Sequence, residues 1–177
     1  MSLLPLAFST CDFCDAHKGD ESGAFRVLPG GLYRSYGGHV DFAGPVATVR
    51  CLEDNSLVKQ AVESPGQGRV LVVDGGGSMK RALLGGNLAA AAARNGWAGL
   101  LIHGCVRDLA ELRETELGIL SMGHMPLPTE RRGQGVADVA VQIGGGVWVR
   151  PGDWLYADED GTVISARALH GGSLSAP

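Results

Sequence analysis

Apolar positions in this chain follow two different periods. Short runs of consecutive apolar residues alternate with stretches where apolar side chains recur every three or four positions, the marks of buried strands and amphipathic helices. A Ser-Thr pair at Ser9 and Thr10 predicts a capped helix over residues 9–18, and residues 23–38 read as loops around a short strand. After a Gly44-Pro45 turn, Val46-Ala-Thr-Val-Arg-Cys51 predicts a strand. In residues 55–63, Leu57, Val58, Ala61 and Val62 share one helical face, and Ser64-Pro-Gly-Gln-Gly68 stops that helix. Residues 69–73 return as a buried strand that ends at Asp74-Gly-Gly-Gly77. A second helix is expected from Gly86-Asn87 through Arg94, closed by Asn95-Gly96, before a buried strand over residues 97–102. Residues 70–102 are therefore a candidate βαβ unit.

Residues 109–120 read as a further helix and residues 126–135 as a polar loop. Residues 139–143, 147–150, 154–156 and 162–165 are consecutive short strands joined by glycine turns. Residues 166–177 carry too little apolar surface to pack alone and are expected to form a loosely held tail. The pattern predicts an α/β fold with a mainly β C-terminal half. A chain of 177 residues suffices for one core and is short for two, so residues 1–177 are read as a single domain.

Composition narrows the function. A formal charge of −4 with no concentrated basic patch argues against nucleic acid as a direct partner; Arg131-Arg132 is the conspicuous basic pair in a loop. No run approaches the length needed to span a bilayer, and Met1-Ser-Leu-Leu-Pro-Leu-Ala-Phe8 lacks the basic start of a signal peptide, so no membrane association and a cytoplasmic location are expected. Cys11 and Cys14 have no second Cys-x-x-Cys to complete a zinc site and read as thiols in a reducing compartment. His103, after Leu100-Leu-Ile102, reads as a packed wall histidine rather than a ligand.

Three places invite chemistry. The Asp74–Gly77 turn follows a buried strand and lets a ligand approach backbone closely, though a purely structural turn explains it equally well. The start of the alanine-rich helix, Gly85-Gly-Asn-Leu88, offers unpaired amides to a carboxylate, or is an ordinary helix cap. Arg107-Asp108 follows a buried strand, where α/β proteins place ligand-handling residues, or is a surface salt bridge. The βαβ reading brings all three toward one edge of the sheet.

The motifs Gly44-Pro-Val-Ala-Thr-Val49, Asp54-Asn-Ser-Leu57, Val72-Val-Asp-Gly-Gly-Gly77, Ala82-Leu-Leu-Gly-Gly-Asn-Leu88, Gly104-Cys-Val-Arg-Asp108 and Gly152-Asp-Trp-Leu-Tyr-Ala-Asp158 resemble those of the class II 4-hydroxy-4-methyl-2-oxoglutarate aldolases and their relative, the regulator of ribonuclease E activity A. The resemblance runs from Thr10 to Val163. It implies a swivelling-type β/β/α sandwich, a homotrimer, and a divalent cation such as Mg²⁺ or Mn²⁺. By the same resemblance Gly85, Gly86, Asn87 and Leu88 bind a 2-oxo acid, Arg107 contacts it catalytically, and Asp108 holds the metal. Such an enzyme cleaves the hydroxy-oxo acid to two pyruvates and secondarily decarboxylates oxaloacetate through the same enolate.

Retro-aldol cleavage also needs a base for the 4-hydroxyl. Gly86 stands where many members of that family have an acidic residue, and residues 167–177 contain no Asp or Glu. A metal-bound water or Asp74 is then the expected base. The other branch of the family offers a different expectation, a non-catalytic regulator with a ribonuclease or its helicase partner.

Overall fold

The computed structural model describes residues 7–171; Met1–Leu6, most of the segment expected not to be a signal peptide, and residues 172–177 of the expected tail lie outside them. Ser9 accepts the Asp12 N–H at 3.2 Å and opens α1 (Thr10–Ala16), as its position predicts. There follow β1 (Phe25–Val27), β2 (Arg34–Ser35), β3 (Phe42–Arg50), α2 (Ser56–Val62), β4 (Val70–Asp74), β5 (Ala82–Leu84), α3 (Gly86–Arg94) and β6 (Gly99–Val106). The chain continues through α4 (Leu109–Glu114), β7 (Gly118–His124), β8 (Val136–Ala137), β9 (Val141–Ile143), β10 (Val147–Val149), β11 (Trp154–Ala157) and β12 (Thr162–Ser165).

Strand β3 joins the two halves of the sheet. Residues 42–45 pair antiparallel with β11, whereas residues 46–50 pair parallel with β4. The change of partner falls at Pro45, which has no N–H to give a ladder. Gly44 lets the bent strand pass against the Gly68 carbonyl, a space that a Cβ would fill. The expected Gly44-Pro45 turn is thus part of a continuous strand. From β3 the parallel ladder runs β4, β6, β7, with β2 closing the far edge and β11, β12 and β1 extending the near one.

Alternation along the central strands defines three layers. Leu71, Val73, Leu100 and Ile102 face α2, α3 and α4, while Val70, Val72 and Leu101 face a second β layer containing Ile143, Leu155 and Ile164. Each of these side chains is at most 1% exposed, so burying it stabilises the fold by about 1.5–3 kcal/mol. Gly99 and Gly118 are paired on neighbouring strands, and the Phe42 ring fills the space that two Cβ atoms would occupy. This is the β/β/α sandwich expected of the fold.

Several element boundaries differ from those expected. The apolar face over residues 109–120 is a helix only to Glu114; the chain enters β7 at Gly118, and the first residues of that strand are buried on both faces, where a parallel strand carries no polar alternation to mark it. Strand β6 continues to Val106, and β5 inserts beside it. The start of the tail is tethered rather than loose: Ala166 N–H donates to Ala24 O, and Tyr156 Oη accepts the Leu169 N–H and bonds His170 Nδ1. Among the described residues no helix is long and apolar enough to cross a membrane.

Candidate active site

Helix α3 receives no cap from its own N-cap residue. Gly85, in the N-cap position, has an extended backbone and no side chain, so the N–H groups of Gly86, Asn87 and Leu88 have no partner within the helix; the first such bond is Ala89 N–H to Gly85 O. The Gly86 N–H donates to Asp108 Oδ2 at 3.0 Å. That leaves the amides of Asn87 and Leu88, at the positive end of a nine-residue helix, open to an anion.

Strand β6 delivers the partner residues. Arg107 N–H donates to Leu84 O at 2.9 Å, which ties the end of β6 to the residue just before the α3 cap. Asp108 then takes a left-handed backbone, φ 61° and ψ 48°, at the N-cap of α4. An Asp in that region costs on the order of 1 kcal/mol. Its carboxylate does not cap its own helix but turns across to Gly86. A Cβ on Gly85 would lie 2.5 Å from Asp108 Oδ2 and 3.2 Å from Arg107 Nε, so the absent side chain is what lets both groups approach the helix start.

Arg107 Nε stands 3.5 Å from Asp108 Oδ2, and the two side chains are 39% and 35% exposed. The pair is therefore neither dry nor internal, and a contact this open contributes at most about 1 kcal/mol to stability. Both groups line a cleft of about 390 Å³ with Gly85, Asn87 and Leu88, and with Arg131 on the facing loop. Asp108 Oδ2 is engaged by the Gly86 amide, whereas Oδ1 has no hydrogen-bond partner among the described residues.

Sequence reasoning overlooked Glu111. Its carboxylate occupies the space directly over Gly86, where any side chain on that residue would collide with it. An acidic group thus stands beside Asp108 although position 86 itself has none. The detectable signal was Asp108-x-x-Glu111 at a helix start, which reads as a capping box. Among the described residues there is no cluster of three or more potential metal-ligating side chains.

The third expected contributor is placed elsewhere. Asp74 pairs in register with His103, and its Oδ1 accepts the Gly76 N–H at 2.9 Å. Gly75 and Gly77 N–H both donate to His103 O, so the turn's polar groups satisfy one another. Asp74 is not among the cleft-lining residues; the structure brings Gly85–Leu88 and Arg107-Asp108 together without it. His103 bonds Tyr33 Oη through Nδ1 at 2.8 Å, and burial pushes its pKa below the ordinary imidazole value, partly opposed by the Asp74 charge. It is the packed histidine the sequence suggested.

A smaller hollow of about 140 Å³ lies beside Asp54 and Arg81. Its charges are already answered: Glu130 pairs with Arg132, and Asp54 Oδ2 accepts the Arg132 and Gln134 N–H groups. Burial alone would raise the Asp54 pKa, but those bonds and two from Ser56 hold it down to about 2. This carboxylate fastens the loop that forms the cleft's outer wall.

Comparison with known proteins places the chain in a family. Residues 10–164 match the RraA-like family model, described as Aldolase/RraA. The chain is 64% identical over 171 residues to a protein of Albidiferax ferrireducens provisionally named 4-hydroxy-4-methyl-2-oxoglutarate aldolase, covering 92% of this chain and 98% of that one. Among solved structures it is similar to the RNA-processing inhibitor RraA from Thermus thermophilis, with 42% identity, a TM-score of 0.87, and coverage of 95% of this chain and 98% of that one. A Geobacillus kaustophilus structure titled as an S-adenosylmethionine:2-dimethylmenaquinone methyltransferase is also 42% identical, with a TM-score of 0.83 and coverage of 92% and 97%.

Proposed function

The chain belongs to the RraA-like family, and from that membership we propose that it is a divalent-metal-dependent carbon–carbon lyase that splits 4-hydroxy-4-methyl-2-oxoglutarate into two pyruvates and secondarily decarboxylates oxaloacetate. The observation that carries this reading is the approach of Arg107 and Asp108 to the start of α3 within one open cleft.

The substrate's 2-oxo acid end fits that arrangement. Its C1 carboxylate accepts hydrogen bonds from the Asn87 and Leu88 amides, and Arg107 faces the oxo oxygen. Asp108, with Oδ1 uncommitted, fits Mg²⁺ or Mn²⁺, hard cations that need few protein carboxylates. When bound, the cation would supply positive charge to offset the negative charge that develops as the C3–C4 bond breaks. Arg107 meets the same developing charge, so its interaction strengthens toward the transition state.

Glu111 replaces Asp74 as the base in this reading: neither carboxylate lines the cleft, but Glu111 reaches the α3 start at Gly86 and Asp74 is spent on its own turn. Placed over Gly86 and beside Asp108, it takes the proton from the 4-hydroxyl as the C3–C4 bond breaks, and the electron pair moves onto the 2-oxo oxygen. Protonation at C3 then yields one pyruvate, and the former C4 carbonyl is the other. Oxaloacetate needs no such proton removal, because carbon dioxide leaves without it. The proposed enzyme is cytoplasmic and a homotrimer.

Pyruvate release from each substrate with Mg²⁺ and with excess chelator tests the proposal. Turnover is expected only with the metal, and Asp108→Ala is expected to abolish it. Absence of metal-dependent turnover of both substrates defeats the lyase reading.

The 42% identity to a solved RNA-processing inhibitor supports a second reading, a regulator that binds ribonuclease E. Immobilised protein would then capture the nuclease at low salt, with wild type and Asp108→Ala equally effective. No capture would remove that reading.

A further inference from the structure

We propose that Arg131 is a specificity residue that receives the distal carboxylate of the hydroxy-oxo acid and sets aldol cleavage above oxaloacetate decarboxylation. This inference rests on the lyase reading above. The site at Arg107 and α3 accounts for only one end of the substrate. The hydroxy-oxo diacid, six carbons counting its 4-methyl group, carries a second carboxylate at C5, and Arg131 supplies a second guanidinium in the same cleft.

Arg131 is held in place although it lies on an exposed loop. Its Nε donates to Asn55 Oδ1 at 3.1 Å, and the same oxygen accepts the Thr129 hydroxyl at 2.7 Å. Asn55 is buried, and its Nδ2 donates to Leu83 O at 3.1 Å. The next carbonyl, Leu84 O, accepts the Arg107 N–H. Consecutive residues of β5 therefore anchor both arginines, one through its own backbone and the other through Asn55. The bond uses Nε of Arg131 and leaves its terminal nitrogens to make the paired contacts that suit a carboxylate.

The two reactions place opposite demands on this second cation. In retro-aldol cleavage the C5 carboxylate survives as the carboxylate of the second pyruvate, so a cation holding it aligns C4 and does not oppose bond breaking. In decarboxylation the corresponding carboxylate must lose its charge to leave as carbon dioxide. A guanidinium gripping it stabilises the ground state over the transition state and slows that step. Arg131 therefore favours the substrate whose far carboxylate is retained.

Arg131→Gln and Arg131→Lys are the informative variants, since the residue is exposed and its replacement leaves the core intact. With Arg131→Gln, kcat/KM for 4-hydroxy-4-methyl-2-oxoglutarate should fall about 30-fold, mostly through KM. The kcat for oxaloacetate should be unchanged or raised, and Mg²⁺-dependent exchange of the pyruvate methyl protons should stay within about twofold. Arg131→Lys should recover part of the lost selectivity. An equal fall in both reactions, or no fall in the first, overturns the proposal. Calorimetry with 2-oxoglutarate and pyruvate separates it from the lyase reading. If wild type turns over neither substrate yet prefers 2-oxoglutarate, and Arg131→Gln erases that preference, the lyase reading fails while Arg131 keeps its carboxylate. A preference that survives the substitution removes Arg131 from recognition.

Discussion

Two glycine-rich turns in this molecule invite the same interpretation and have opposite character. The turn at Asp74–Gly77 closes on itself: its carboxylate takes a backbone N–H, and two more of its amides are spent on His103 O. The turn at Gly85-Gly86 is left unfinished, with two helix amides open, a carboxylate oxygen free and a guanidinium facing the cleft. Glycine content does not distinguish them. What does is whether the polar groups that the backbone exposes are answered within the protein, and an unanswered set in an accessible cleft is what a ligand can complete.

The contrast is most sharply tested at Asp108. Asp108→Asn retains an oxygen for the Gly86 N–H but removes the charge that a divalent cation needs. Metal-dependent pyruvate release should fall at least 100-fold with both substrates while thermal unfolding changes little. An active Asp108→Asn enzyme would mean that the open turn is no more a metal site than the closed one.

Glu111→Gln should produce a smaller and more selective loss. As the base for the 4-hydroxyl, Glu111 supplies a contribution of about 100-fold to aldol cleavage and little to decarboxylation. Rates for the two substrates measured side by side should separate accordingly. The double variant Gly86→Asp with Glu111→Ala, which places a carboxylate in the same volume from the opposite helix, should restore part of the aldol rate.

Much of the α3 region was readable because local and tertiary signals agree there. Asn95-Gly96 ends the helix where expected, with Gly96 at φ 77°, and the apolar runs of β4 and β6 lie where their periodicity puts them. Strand β7 was obscured because Leu117, Ile119 and Leu120 continue the apolar spacing of α4, and only pairing with β6 makes Ile119 and Leu120 part of a strand. Pro45 misled in the other direction: it breaks a ladder, yet here it marks the point where a strand exchanges one partner for another. Glu111 was hidden because its role depends on where α4 points, and spacing along the chain does not encode its approach to Gly86. Arg131 was visible as half of a basic pair, but its anchoring by Asn55, 76 positions away, is a tertiary fact.

The cleft's outer wall gives a third test, in stability rather than rate. Asp54→Ala strands the Arg132 and Gln134 N–H groups and should cost about 2 kcal/mol, lowering Tm by about 4–8 °C. The pH dependence follows from the depressed pKa of about 2. Because the folded state holds the proton less tightly than the unfolded state, whose Asp titrates near about 3.9, the stabilisation is complete above about pH 4 and is lost as pH falls toward 2. Urea unfolding across that window should therefore show a steeper decline for wild type than for Asp54→Asn.

The smallest effect on rate is expected at the closed turn. Asp74→Asn keeps an acceptor for the Gly76 N–H, so the turn should survive and both lyase activities should stay within about twofold of wild type. The visible consequence should be at His103 instead. Burial holds that imidazole below its ordinary pKa and the Asp74 charge partly counters it, so removing the charge should move the His103 titration further down in an NMR pH series. A tenfold or greater fall in aldol rate, with decarboxylation intact, would make Asp74 the base after all. It would also show that a turn can satisfy its own amides and still serve the chemistry, which is the one result that would dissolve the distinction between the two turns.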